Sequence, residues 1–215
     1  MLDEHCHIVW DVDDGSRSRS ESLEMLNAAY YAGITHIVCT PHFRWDDFDR
    51  AKVQRHFADL RVVASSLGIQ MTLGYEVYYR RLLKTGIDFA PTFAEQGSNN
   101  VLLEFNTGGE VDPNWKQTVH AIQSMGYDVT FAHPERYVSV WDDFDLVYRF
   151  KQEGCRVQVS AGDLFGGAFD KQAKHAKQIL KEGLCDALVS DAHRVEHYRD
   201  YVKALDKYGH LVGTR

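Results

Sequence analysis

Nothing in this sequence is suited to crossing a membrane or to coating a nucleic acid. Its 215 residues contain no apolar run near the roughly 20 residues that a spanning helix needs. The acidic opening, Met1-Leu2-Asp3-Glu4, lacks the basic start and uninterrupted apolar stretch of a secretory signal peptide, so the expected location is the cytoplasm. With 24 Lys and Arg against 31 Asp and Glu, the formal net charge is -7, and no basic footprint for nucleic acid exists. Cysteine is scarce. Cys6, Cys39, Cys155 and Cys185 form no C-x-x-C pair and lie in or beside short apolar runs. They read as small buried thiols of a reducing compartment. Nor do they suit a cysteine-dependent phosphatase, whose phosphate-cradling loop sets an Arg at a fixed distance after the nucleophile. The nearest pair, Cys39 and Arg44, has the wrong spacing and encloses Pro41. Linkers and low-complexity segments are also missing, so residues 1–215, 44% hydrophobic, are expected to form a single domain with one buried core.

What is present is a recurring punctuation. Segments of helical character end at Gly33, Gly68, Gly126, Gly154 and Gly183, each followed directly by a short apolar run. Glycine just past a helix accepts the left-handed conformation cheaply, so the pattern reads as helix, cap, strand. With 2–8 and 101–105 added to 34–40, 69–75, 127–132, 155–160 and 184–190, seven strands are expected. Strand alternating with helix implies a parallel sheet with helices outside it. Ser18-Arg19-Ser20-Glu21 has the form of a capping box before Leu23, Leu26 and Tyr30. Residues 49–67 place Phe57, Leu60 and Ala64 on one face, and Pro113 marks a first helical turn before Val119, Ile122 and Met125. Residues 171–180 turn Ala173, Ala176 and Ile179 inward, while 80–99 read as a loop or short helix at the sheet rim.

Such units can form an open doubly wound sheet or close into a barrel. The polar residues decide between them. Strand one carries His5 and His7, which alternation puts on the same face, and then Asp13-Asp14-Gly15. The second ends in Thr40-Pro41-His42, the third in Gly74-Tyr75-Glu76, and the fourth carries Glu104. His133-Pro134-Glu135-Arg136 follows the fifth and Asp191-Ala192-His193 the seventh. Each residue alone has an ordinary structural use. Six of the seven strands delivering His, Asp or Glu to one rim point instead to a ring, and so to a distorted (β/α)7 TIM-like barrel with its site at the C-terminal face. Mixed imidazole and carboxylate ligands suit Zn, Mn or Fe, and their number exceeds what one tetrahedral ion takes. Two or three ions are expected, the arrangement that serves phosphoester hydrolysis. His56, His120, His175, His197 and His210 fall in helical segments and read as surface or edge residues, and His36 as structural. Tyr78, Tyr79, Arg80 and Arg81, like Trp45, line either the entrance or a packed loop.

With that ring in place, Asp3-x-His5-x-His7-Ile8 running into Asp11-Val12-Asp13-Asp14-Gly15-Ser16 resembles the PHP (polymerase and histidinol phosphatase) superfamily of metal-dependent phosphoesterases. Within it the chain is most similar to the manganese-dependent bacterial protein-tyrosine phosphatases that regulate capsule and exopolysaccharide synthesis. The resemblance covers essentially the whole chain, and the acidic pair discriminates best, since histidinol phosphatases tend to place another His where Asp14 falls.

The resemblance implies a trinuclear site. His5, His7, Glu76 and Asp191 would hold the first metal, Glu76 bridging to a second completed by Glu104 and His133. Asp14, His42 and His193 would hold the third. Mn²⁺ is the implied ion, with Zn²⁺ or Fe as alternatives, and hydrolysis by a hydroxide held between the first two metals is the implied chemistry. Arg136 matches the phosphate-binding Arg. For a second such Arg the candidates are Arg194 and Arg199, neither at the usual spacing. The implied substrate is a phosphotyrosyl protein, a bacterial tyrosine kinase controlling capsule synthesis. Three other readings stand beside it: a histidinol-phosphatase-like small-molecule enzyme, a polymerase-associated exonuclease, and a metal-stabilised binding module without turnover. The acidic balance disfavours the exonuclease, and the intact ligand set disfavours the module. Relatives of this kind continue further past the helix after Asp191 than Arg215, where this sequence stops.

Overall fold

Every strand pairing among the described residues is parallel. The computed structural model describes residues 1–167 and 169–213. Its elements run β1 (Leu2–Cys6), α1 (Arg19–Tyr31), β2 (His36–Cys39), β3 (His42–Phe43), α2 (Arg50–Ser66), β4 (Gln70–Leu73) and β5 (Glu76–Tyr78). There follow α3 (Tyr79–Thr85), β6 (Asn100–Glu104), α4 (Trp115–Ser124), β7 (Asp128–Phe131), α5 (Val138–Asp142) and α6 (Asp145–Gln152). The chain closes with β8 (Arg156–Ser160), α7 (Lys171–Lys181), β9 (Ala187–Val189) and α8 (His197–Tyr208). Among the described residues, no helix is long and apolar enough to cross a membrane.

The five punctuating glycines all take positive φ, between 69° and 86°, so each helix ends as the spacing requires. Ser18 accepts from the Glu21 N–H at 3.2 Å, but Glu21 reaches back to the Arg17 N–H rather than to Ser18. The helix it caps buries Ser22, Met25, Leu26 and Ala29, leaving Tyr30 outside, so the inward stripe is displaced from the one the sequence suggested. His175 is likewise corrected. It is buried on α7, donates from Nδ1 to the Lys171 carbonyl and stacks on Phe144.

Two of the expected strands are each followed by a further short strand. The second, 34–40, gives β2, and β3 follows beyond Pro41, which has no N–H to give a ladder; the third, 69–75, gives β4, which stops before Gly74 and Tyr75, and β5 follows them. β2 and β4 pair apart from β3 and β5, in the orders β1-β2-β4 and β3-β5-β6-β7-β8-β9. Residues after the 3-10 segment Ile87–Phe93 fill the gap beside Gly74. Gln96 donates to the Leu73 carbonyl at 2.9 Å and Glu95 to that of Asn100 at 3.0 Å. A side chain at Gly74 would press on the Glu95 backbone at 3.3 Å, so glycine lets this segment approach. The 80–99 stretch therefore ends wedged in the sheet, not merely at its rim.

The result is a parallel sheet curled into a half-barrel, its first strand brought round to its last. There a single bridge, Cys6 to Ala192, joins β1 to the end of β9. Asp3, fully buried, tightens this seam by accepting from the Ser190 N–H at 2.9 Å and the Ser190 hydroxyl at 2.6 Å. Outside the sheet, Phe105, Phe131, Phe150 and Trp115 interlock at ring separations of 4.2–6.1 Å, a rigid backing for β6 and β7. Tyr137 joins that cluster, and its hydroxyl donates to the Ala132 carbonyl at 2.6 Å, fixing the strand end just before His133.

Candidate metal centre

The first strand sets the centre. His5 and His7 are fully buried on one face of β1 and its continuation, with their Nε2 atoms 3.1 Å apart. Each ring is held from behind. His5 Nδ1 donates to Gln158 Oε1 at 3.1 Å, His7 Nδ1 to Asp13 Oδ2 at 2.9 Å, and His193 Nδ1 to the Asp191 carbonyl at 2.9 Å. With the proton fixed on Nδ1, each Nε2 turns its lone pair inward.

The inward atoms share a small space with carboxylates. Glu76 Oε2 lies 3.2 Å from both His5 and His7 Nε2 and 3.1 Å from His42 Nδ1, while Oε1 lies 2.7 Å from His133 Nε2. Asp191 Oδ1 is 3.6 Å from His5 Nε2 and 3.5 Å from His7 Nε2. Asp14 Oδ1 is 3.4 Å from His42 Nε2 and 3.5 Å from His193 Nε2. Glu104 Oε1 closes the far side, 4.0 Å from His133 Nε2. Three overlapping groups have donor atoms within 4.8 Å of one another: His5, His7 and Glu76; His42, Glu76 and Glu104; His7, Asp14, His42 and His193. All nine residues singled out as ligands thus converge on one spot.

The donor set fits cations. His42 Nδ1, His133 Nδ1 and Asp191 Oδ1 are buried without a hydrogen-bond partner from the chain. The Nε2 lone pairs of His5 and His7 also face each other across 3.1 Å, an arrangement that positive charge between them relieves. Without an ion that charge comes from protons. Burial and Arg136 oppose protonation of His133, yet Glu76 raises it to about 9. Burial likewise opposes the charged form of His7, and Asp13 more than offsets it. Burial favours neutral Glu76, but His42, His5 and His133 hold its carboxyl well below the usual range. Glu104 is pushed the other way, by burial and by the charge of Glu76. Hydrogen bonds from His193 and His42 hold Asp14 well below the usual carboxylate range.

Two of these strand ends carry a strained backbone. His133 has φ 33° and Asp191 φ 47°, left-handed conformations that cost a side-chain-bearing residue about 1–3 kcal/mol. The turns aim both side chains back over the sheet.

The acidic pair divides its labour. Asp14 faces the centre, whereas Asp13 stands behind it, accepting from His7 Nδ1, from the His42 N–H at 3.0 Å and from the Gly15 N–H at 2.9 Å. Gly15 packs so tightly on His7 that a Cβ would fall 2.2 Å from its carbonyl oxygen. Arg136 spans Asp163 Oδ2 at 2.6 Å and Asp191 Oδ2 at 2.7 Å, at the edge of the ring. Of the candidates for a second arginine, Arg194 donates to the carbonyls of Asp14 and Gly15, clamping the acidic loop. Arg199 lies out on α8 beside Asp200, its side chain 72% exposed. Neither reaches the centre.

Sequence reasoning missed Gln158, Asp163 and Arg44. Gln158 had a signal, a lone polar residue between Val157 and Val159 on the one strand without a His or carboxylate at its end. Arg44 approaches Glu104 Oε2 at 3.4 Å and lies over the Tyr78 ring at 4.7 Å. Tyr79 is buried and hydrogen-bonded to Thr118, so it packs and does not line an entrance.

Buried imidazoles and carboxylates gathered at the strand ends of a curled parallel sheet define a candidate metal-binding α/β protein. Residues 1–208 match the model of the family described as capsular polysaccharide synthesis, CpsB/CapC, and the chain belongs to that family. It is 31% identical over 229 residues to the tyrosine-protein phosphatase CpsB of Streptococcus pneumoniae, covering 97% of this chain and 91% of that one. To the tyrosine-protein phosphatase YwqE of Bacillus subtilis it is 27% identical over 216 residues, covering 96% and 84%. A crystal structure from work on YwqE and CpsB, described as metal-dependent tyrosine phosphatases, superposes with a TM-score of 0.82 at 26% identity, covering 96% of this chain and 87% of that one.

Proposed function

We propose that this protein is a metal-dependent phosphoric monoester hydrolase that removes phosphate from phosphotyrosine in a protein, acting in the cytoplasm on a bacterial tyrosine kinase of capsule synthesis. Its half-barrel is, in this reading, the distorted (β/α)7 barrel of the PHP type. The observation that carries the proposal is the sharing of Glu76 between two donor groups, with Asp14, His42 and His193 beside them and Arg136 at the edge. The names and metal dependence of the relatives support it.

His5, His7, Glu76 and Asp191 would hold a first ion, Glu76, Glu104 and His133 a second, and Asp14, His42 and His193 a third, with Mn²⁺ the ion proposed. Ions there would lower the pKa of water toward neutrality and set positive charge opposite the phosphoryl oxygens. The chain does the rest. Gln158, Asp13 and the Asp191 carbonyl keep the Nδ1 protons of His5, His7 and His193 in place, so those three imidazoles need not reorient as charge develops. Arg136 offers a planar fork to the phosphate, already positioned by Asp163 and Asp191. A phenolate leaves with a pKa of about 10, so a dedicated acid is less needed than for an alkyl phosphate.

The thiols are unfit as nucleophiles. All four are buried, and burial pushes Cys6 well up and Cys155 and Cys185 up to about 12.

The test is hydrolysis of a phosphotyrosyl peptide beside histidinol phosphate, after chelation and again after Mn²⁺ is restored. Peptide turnover that is lost on chelation, regained with Mn²⁺ and indifferent to thiol alkylation is expected. Preference for histidinol phosphate would overturn the substrate assignment.

A further inference from the structure

The loop after β3 holds an aromatic ring out of the core, beside the metal centre. Its neighbours go inward: Phe43 is buried and stacked on Phe93 at 4.0 Å, and Phe48 packs against Phe43 at 5.0 Å. Trp45 does not follow them. It is 41% exposed, and among the described residues its ring meets only one other, the imidazole of His42, at 5.6 Å and 87°. The same residue lines a cavity of about 630 Å³ together with Asp13 and Asp14, so the open space it borders runs up to the acidic loop of the centre.

The loop that carries the ring is tied on both sides. Asp46, the next residue, is bound by Arg81 and by Lys84 at 2.9 Å, both on α3. Asp49 caps α2 by accepting from the Lys52 N–H at 2.9 Å. Arg81 in turn lies over the Phe43 ring at 5.3 Å. A loop pinned on both sides presents a large flat ring at little entropic cost on binding.

We propose that Trp45 is a specificity-determining residue whose ring, edge-on to His42, forms one wall of the cleft beside Asp14 and selects aryl over alkyl phosphate esters by packing against the substrate's phenyl ring. This rests on the phosphotyrosine reading above and adds the device that makes it selective. When the phosphoryl group sits at the centre, the aromatic ring of phosphotyrosine lies one ester oxygen away, where it can meet a neighbouring wall. The methylene of phosphoserine offers that wall no face. One aromatic pair contributes a preference of about three- to tenfold.

The experiment uses the full chain with Mn²⁺ present and has two arms. In the first, kcat/KM is measured for a phosphotyrosyl peptide and for the same peptide carrying phosphoserine, in the wild type, Trp45→Ala and Trp45→Phe. The aryl-to-alkyl ratio is expected to fall about three- to tenfold in Trp45→Ala, chiefly through KM on the aryl peptide, and to be largely kept in Trp45→Phe. An equal loss on both peptides would overturn the proposal, because Trp45 would then be acting through His42. So would an unchanged ratio. In the second, phenylphosphonate and methylphosphonate are titrated calorimetrically into the same proteins. Tighter binding of phenylphosphonate by the wild type, abolished in Trp45→Ala and kept in Trp45→Phe, is expected; equal affinity for both would overturn the wall. If the wild type turns over neither peptide, the phosphatase reading fails, and the phosphonate arm still decides whether Trp45 selects aryl groups.

Discussion

His7 shows how single residues prepare this centre. Its ring is committed on one side to Asp13 and open on the other, so its tautomer is set by a carboxylate that does not itself face the cluster. Asp13 also accepts the His42 N–H, tying two donor groups to one side chain. Asp13→Ala should therefore weaken Mn²⁺ binding about 10–100-fold although the facing carboxylate, Asp14, is intact. Calorimetric titration of the chelator-stripped variant would show this, and wild-type affinity would mean the tautomer is held by other means. Arg194, clamped on the carbonyls of Asp14 and Gly15, acts on the same loop from the other side. Its place in the chain suggested a phosphate contact, but its partners make it a brace.

Elements matter here mainly through how they end and how they meet. The strands are short, and what projects from them beyond the ladder carries the chemistry. Among the described residues the seam between β1 and β9 has one bridge and two backbone hydrogen bonds, from the Asp191 N–H to the His5 carbonyl and from the His7 N–H to the Ala192 carbonyl. Both Asp191 and His5 belong to the centre, so whatever stiffens the seam also sets their spacing. Asp3 is that stiffener. Asp3→Ala would leave the buried Ser190 N–H without its acceptor and should cost about 1–3 kcal/mol. A urea unfolding midpoint indistinguishable from wild type would show that the seam does not depend on it.

For the whole molecule, the centre couples folding to protons. Without ions, several buried groups have folded pKa values above their unfolded ones: Asp3 about 6 against 3.8, Glu135 about 8 against 4.5, and His133 about 9 against 6.5. Burial causes the rise in the two carboxyls. In His133 burial and Arg136 oppose the rise, and Glu76 overcomes them. The native state then binds more protons than the unfolded chain as pH rises. The stability from His133 is fully present below about 6.5 and is lost as pH climbs through about 9; Glu135 and Asp3 lose theirs earlier, in the same direction. Glu76 and Asp191, held well below their ordinary values, contribute above the usual carboxylate range and lose it only on acidification. The Tm of chelated protein should therefore fall steadily from pH 6.5 to 9, and Mn²⁺ should flatten that decline by taking the place of the protons. A Tm of stripped protein that rises with alkaline pH would contradict this account.

Much of this was legible in the chain because it depends on local rules. Glycine caps marked the helix ends, the apolar runs marked the strands, and alternation put His5 and His7 on one face. The convergence of nine ligand candidates could be anticipated because strand ends of a parallel sheet share one rim. Other features depend on residues far apart in the chain meeting, and no periodicity announces that. Pro41 and Gly74 follow the ends of two strands, but only folding shows that the Glu95–Gln96 segment enters the gap. Asp13 and Asp14 are adjacent and chemically alike, and only the folded turn at Gly15 shows that Asp14 faces the centre and Asp13 stands behind His7. Gln158 serves His5 across 153 positions of sequence. Sequence determined which donors exist and on which strand ends they sit, because backbone geometry is local. Which ring atom of His5, His7 and His193 points inward was decided by the tertiary structure, since that orientation belongs to the partner on the far side of the ring.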